Sequence, residues 1–96
     1  MKFLALVEVA EGAEIARIRA ELQSELKASW ALFASGVMRE AYATETPTRV
    51  VFVLEAADRG AASAALDSLP LVAAGMFKVE LVELRPFVNW SLMFGA

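Results

Sequence analysis

Apolar residues fall at every second position at the start of the chain. Phe3, Ala5, Val7 and Val9 share one side, and Lys2, Leu4, Leu6 and Glu8 the other. A period of two predicts a strand over Lys2–Val9, ended by Glu11-Gly12. The period then lengthens. Ile15, Ile18, Leu22, Leu26, Trp30 and Phe33 recur at helical steps, which predicts a helix from Ala13 to Ala34 with these residues, Trp30 included, on the core. Glu11 and Glu14 suit its positive end, and Gly36 suits a left-handed cap. Val37–Ala43 and Arg49–Glu55 read as two further strands joined by the loop Thr44–Thr48, short enough to make them antiparallel. Asp58 is placed to cap a second helix running to about Leu69, with Ala62, Ala65, Leu66 and Leu69 inward. Leu69–Gly75 reads as a turn, and Phe77–Leu84 as the fourth strand.

The order βαββαβ predicts one ferredoxin-like α+β domain over residues 1–96: a four-stranded antiparallel sheet with both helices on one face. One alternating set of strand residues is nearly all apolar (Phe3, Ala5, Val7, Val9, Val50, Phe52, Leu54, Phe77, Val79, Leu81) and is assigned to the helices. The opposite set is mixed. A solvated sheet face should be mostly polar, yet this one keeps Leu4, Leu6, Val51, Val53, Val82 and Leu84. Together they make a larger patch than soluble monomers usually expose. A second sheet from another copy would cover it. The tail after Arg85-Pro86 adds Phe87, Val88, Trp90, Leu92, Met93 and Phe94. Such a tail either folds back on its own domain or crosses a dimer interface, with Phe87, Trp90 and Phe94 as anchors.

Composition accounts for part of this excess. The hydrophobic fraction is 58%, but alanine supplies about a fifth of the chain and adds little volume. No apolar run approaches the roughly 20 residues of a membrane helix. The opening segment ends in acid without a cleavage pattern, so it reads as a buried strand of a cytoplasmic protein. A net charge of −3 argues against a nucleic-acid or anionic-membrane surface. The chain contains no Cys and no His. That excludes disulfides, zinc fingers, thiol nucleophiles and serine–histidine–aspartate chemistry. No flavin or haem site is marked, no Asp-rich loop suggests a hard metal, and no cofactor is expected.

Any catalysis therefore runs on carboxylate, arginine and phenol. Glu8, Glu55 and Glu80 share the mixed face. Glu40 and Tyr42 share one face of the second strand, and Arg39 has the other. A carboxylate in an apolar pocket gains pKa by desolvation and suits proton transfer. Arg39 could hold an acidic substrate through two parallel hydrogen bonds, and Tyr42 could donate to an enolate-like oxygen. This constellation of Glu8, Arg39, Tyr42, Glu55 and Glu80 points to cofactor-free proton transfer or isomerisation on a small organic molecule. The alternative is a non-catalytic oligomeric module that binds a small hydrophobic ligand or scaffolds an assembly.

A resemblance covers nearly the whole chain. Trp30, Ser35-Gly36-Val37, Arg39-Glu40 and Tyr42, Val51–Ala56, the Leu69-Pro70-Leu71 turn, and Glu80–Leu84 running into Arg85-Pro86-Phe87 resemble the muconolactone isomerase-like domain. This is a branch of the dimeric α+β barrel superfamily near the YCII-related proteins. The resemblance implies two ferredoxin-like sheets packed face to face, and a small pocket beside each sheet. It also implies a pocket-side His and Lys on the first strand. Leu4 and Leu6 stand at those positions, so muconolactone itself is not the expected substrate. The His–Asp pair of the YCII-related branch has no counterpart in a histidine-free chain.

Overall fold

The alternation of the first eight strand residues is realised as β1 (Lys2–Val9) in a computed structural model that describes residues 1–95. Ala96, the last residue of the expected tail, lies outside the described residues. The remaining elements are α1 (Ile15–Ala34), β2 (Met38–Glu45), β3 (Thr48–Glu55), α2 (Arg59–Asp67), α3 (Pro70–Ala73) and β4 (Phe77–Leu84). A 3-10 segment, Val88–Phe94, follows. The strands form one antiparallel sheet in the order β2-β3-β1-β4, the ferredoxin-like arrangement. The helix-facing set supplies the core: Phe3, Ala5, Val7, Phe52 and Leu54 are buried with Met38, Ala62, Leu66, Leu69 and Leu71, and Val50, Phe77, Val79 and Leu81 pack partly buried against them, but Val9, at the end of β1, is exposed. Among the described residues no helix is long and apolar enough to cross a membrane.

Local signals act where expected. The Asp58 carboxylate accepts the Ala61 N–H at 2.8 Å and caps α2. Gly36 follows α1 at φ +86°, a conformation that costs glycine nothing. The hairpin loop is shorter than the Thr44–Thr48 segment expected, because its threonines extend the strands. Only Thr46 and the cis-linked Pro47 turn the chain. β2 carries a bulge between Met38 and Glu40.

Two expectations are corrected. Leu69–Gly75 contains a helical turn rather than a plain turn. Leu69 is extended, as a residue before proline prefers, and Pro70 opens α3 where its missing N–H costs nothing. The second correction concerns α1. Its inward line is Ile18, Glu21, Glu25, Ala28 and Leu32, while Leu22, Leu26, Trp30 and Phe33 lie exposed on its flank. Trp30 is 67% exposed and is not core. The cause is Glu25, which is buried and accepts the Leu71 N–H at 2.7 Å. That bond satisfies a free amide at the start of α3 and rolls the apolar stripe sideways, toward β2.

The tail stands away from the body. Phe87 and Trp90 touch edge to face at 4.8 Å, yet every residue from Arg85 to Gly95 is exposed. The radius of gyration, 15.6 Å, exceeds the about 12.5 Å of a compact chain of this length. The fold-back alternative for the tail is not what the structure adopts.

Burial raises the pKa of Glu25, opposed by the Leu71 hydrogen bond and reinforced by Glu21. A raised folded-state pKa means that folding favours the protonated form. Its contribution is full below the unfolded value and fades as pH rises through the folded one. Glu25→Gln, which keeps an acceptor oxygen without the charge, should flatten the stability profile between the ordinary glutamate range and neutrality. Glu25→Ala should cost about 1–3 kcal/mol at pH 7 by leaving the Leu71 amide unpaired. Urea unfolding of the three proteins across that pH range checks both outcomes.

Candidate functional site

Strand register determines which polar side chains meet on the mixed face. Glu8 lies opposite Lys78 on β4, and Leu6 opposite Glu80. On the other side Leu6 pairs with Val51 and Val51 with Tyr42. Tyr42, Val51, Leu6 and Glu80 thus form one row across the sheet. The next row brings Arg49 and Lys78 to either side of Glu8. The Glu8 carboxylate receives Lys78 Nζ at 2.9 Å on one oxygen and Arg49 Nε at 3.1 Å on the other. A cavity of about 220 Å³ opens here, lined by Leu6, Glu8, Arg49, Lys78, Val79 and Glu80.

The five sequence candidates are separated by this geometry. Glu8 and Glu80 line the same cavity. Glu55 pairs with Lys2 at the opposite end of β1, roughly 20 Å along the strand from Glu8. It sits 3.7 Å from the Met1 amino group. Tyr42 is on the row of Glu80 but three strands away, roughly 14 Å. Its hydroxyl donates to Glu40, and both side chains are exposed. Arg39 lies in the β2 bulge, where its Nε donates to the Gly36 carbonyl. Arg49 and Lys78 are the charged residues that sequence reasoning passed over. Both share the strand parity of Glu8's face, and aligning the three strands would have placed them beside it.

The electrostatics follow from these contacts. Lys78 first, then Arg49, hold the Glu8 carboxyl below its ordinary pKa. Glu8 is therefore an anion at neutral pH, a proton acceptor rather than a donor. The hydrogen bond to Glu40 pushes the Tyr42 phenol above its ordinary value, so that hydroxyl keeps its proton. Arg49 and Lys78 outnumber Glu8 at its carboxylate, and Glu80 on the same cavity brings the four formal charges to balance. Among the described residues no three Asp or Glu side chains converge to hold a metal ion.

Comparison with known proteins adds the fold. No family model matches the chain, and no curated protein matches it in sequence. Among solved structures it is similar to the 5-chloro-2-hydroxyhydroquinone dehydrochlorinase TftG from Burkholderia phenoliruptrix AC1100, in complex with 2,5-dihydroxybenzoquinone. The two superpose with a TM-score of 0.69 at 16% identity, covering 88% of this chain and 94% of that one. At that identity the likeness establishes a shared α+β fold.

The Glu8 carboxylate should titrate below the ordinary glutamate range when followed by carbon-13 NMR. Lys78→Met should raise its midpoint more than Arg49→Gln does. Equal midpoints in all three proteins would mean that the ion pairs do not form in solution.

Proposed function

We propose that this chain is one half of a dimeric α+β barrel that binds a small acidic organic molecule and moves a proton within it without a cofactor. The observation that carries this reading is the Glu8–Arg49–Lys78 cluster at the margin of an aliphatic sheet face. Leu4, Leu6, Val51, Val53 and Val82 on that face are each only partly covered within one chain. A second copy of the face would remove them from water and close the cavity, which by itself is below the usual 300–1,000 Å³ of a ligand pocket.

The proposed chemistry uses the charges as they stand. An anionic oxygen of the ligand engages Lys78 and Arg49. This draws Lys78 away from Glu8 and removes the largest cause of its lowered pKa, so the carboxylate gains basicity as the ligand arrives. Glu8 then accepts a proton from carbon next to a carbonyl. The electron pair passes to the carbonyl oxygen, where the two cations meet the new charge. Return of the proton to another carbon gives an isomer. The similarity to a dehydrochlorinase holding 2,5-dihydroxybenzoquinone, an acidic enol, supports a ligand of this class. The second reading, a non-catalytic binding module, is favoured by the mutual satisfaction of the three charges, Glu8 being held by both Lys78 and Arg49.

Light scattering should give about 21 kDa or a multiple, from a chain of 10.4 kDa. Leu6→Asp, on the sheet face, should lower it to the monomer. A wild-type monomer at micromolar concentration overturns the barrel. In deuterated water, exchange of the ring hydrogens of 2,5-dihydroxybenzoquinone should be accelerated and should fall at least about 100-fold in Glu8→Gln, with the mass unchanged. Tight binding of this probe without exchange would favour the module.

A further inference from the structure

The stripe that α1 turns away from the core lines a groove. Leu26, Trp30 and Phe33 form one wall, and Met38, Ala41 and Phe52 of the sheet the other, around a cavity of about 370 Å³. No charged side chain lines it. The groove lies along β2, one edge of the sheet; the tail leaves from β4, the other edge. The tail is its chemical match: Phe87–Phe94 carries no charge, and Phe87, Trp90 and Phe94 are 59%, 66% and 82% exposed. We propose that this groove is the docking site for the C-terminal tail of a second copy of the chain.

The inference rests on the face-to-face pairing proposed above and adds its orientation. A two-fold axis across the strands would lay β4 over β4. An axis along the strands lays β4 of one sheet over β2 of the other, and so brings the root of each tail beside the other copy's groove. The distances agree. Packed layers are about 10 Å apart. Residues 85–95 reach about 36 Å when extended, and the 3-10 segment alone spans about 14 Å. The area agrees as well. Burying the exposed parts of Phe87, Trp90 and Phe94 removes roughly 400 Å² from water, taking 150–250 Å² for each full side chain. That is about half of what one partner contributes to a stable interface, and the sheet face supplies the rest. Trp30 and Phe33, stacked at 5.4 Å in the groove wall, give the incoming aromatics a preformed surface.

Because the chain has no cysteine, introduced thiols are the only ones present. Ser29→Cys in the groove wall and Met93→Cys in the tail, placed in one chain, should cross-link between copies with a short bismaleimide. A covalent band of about 21 kDa should appear, absent from either single variant. Ending the chain after Pro86 should weaken dimerisation at least tenfold by analytical ultracentrifugation, and this needs no cysteine variant to fold. A cross-link within one chain, free thiols in an intact dimer, or an unchanged dimer after truncation overturns the docked tail. So does sedimentation of the dimer with neutral phosphatidylcholine vesicles through an accessible tail. If those results come with a mass of about 21 kDa that Leu6→Asp abolishes, the barrel stands without the arm. A wild-type monomer removes both.

Discussion

One hydrogen bond sets the geometry on which the rest of this molecule depends. The Glu25 carboxylate, buried under α1, accepts the Leu71 amide at 2.7 Å and so ties α1 to the first turn of α3. A buried carboxylate is costly unless it is hydrogen-bonded, and a free amide at a buried helix start is costly too. Each relieves the other. Glu25 can reach Leu71 only if α1 rolls so that its glutamates face inward. Leu22, Leu26, Trp30 and Phe33 then lose the core, and the last three become the wall of a groove. The apolar content of this helix has been moved from the interior to a surface.

The sheet divides its labour by face. The helix side is the stabilising core, with Phe3, Ala5 and Leu54 fully buried. The other side is graded along the strands. Arg49, Glu8 and Lys78 make a charged row at one end, aliphatic rows fill the middle, and Glu55, Lys2 and Leu84 lie at the other end. The cavity at the charged end sets Glu8 and Glu80 against Arg49 and Lys78, backed by Leu6 and Val79. Exposed ion pairs of this kind contribute little to stability. In the proposed function, their value lies in the two cations they hold ready beside Glu8.

Most of the fold was legible because strand parity is a hard constraint. A residue two places along a strand returns to the same face, so Phe3, Ala5 and Val7 could be assigned inward and Leu4 and Leu6 outward without coordinates. The roll of α1 was not legible for an equally physical reason. Periodicity counts glutamate as polar, and nothing local marks Glu25 as the acceptor of an amide 46 residues away. Periodicity therefore places Trp30 in the core. The candidate site was legible in part. Glu8 and Glu80 converge because β1 and β4 are neighbours in register. Arg39, Tyr42 and Glu55 do not join them, since a residue's face does not tell how far along or across the sheet it lies. Arg49 and Lys78 share the parity of Glu8, but only the register of β3 and β4 against β1 brings them to either side of its carboxylate.

The bulge in β2 has a consequence of its own. Strict alternation would put Met38, Glu40 and Tyr42 on one face, and Met38 is buried in the core. The extra residue breaks that rule between Met38 and Glu40. Ala41 and Ala43 thereby follow Met38 to the helix side, and Glu40 and Tyr42 pass to the open face. β2 thus works as a parity switch set by a single residue. Deleting Arg39 would leave Glu40–Ala43 against the same β3 partners and restore strict alternation, whereas drawing Arg39 into the ladder would exchange the small, inert side chains for the acid and the phenol along the rest of the strand. The chemistry on the open face of this edge is thereby set by one unpaired residue, and not by the identities of Glu40 and Tyr42 alone.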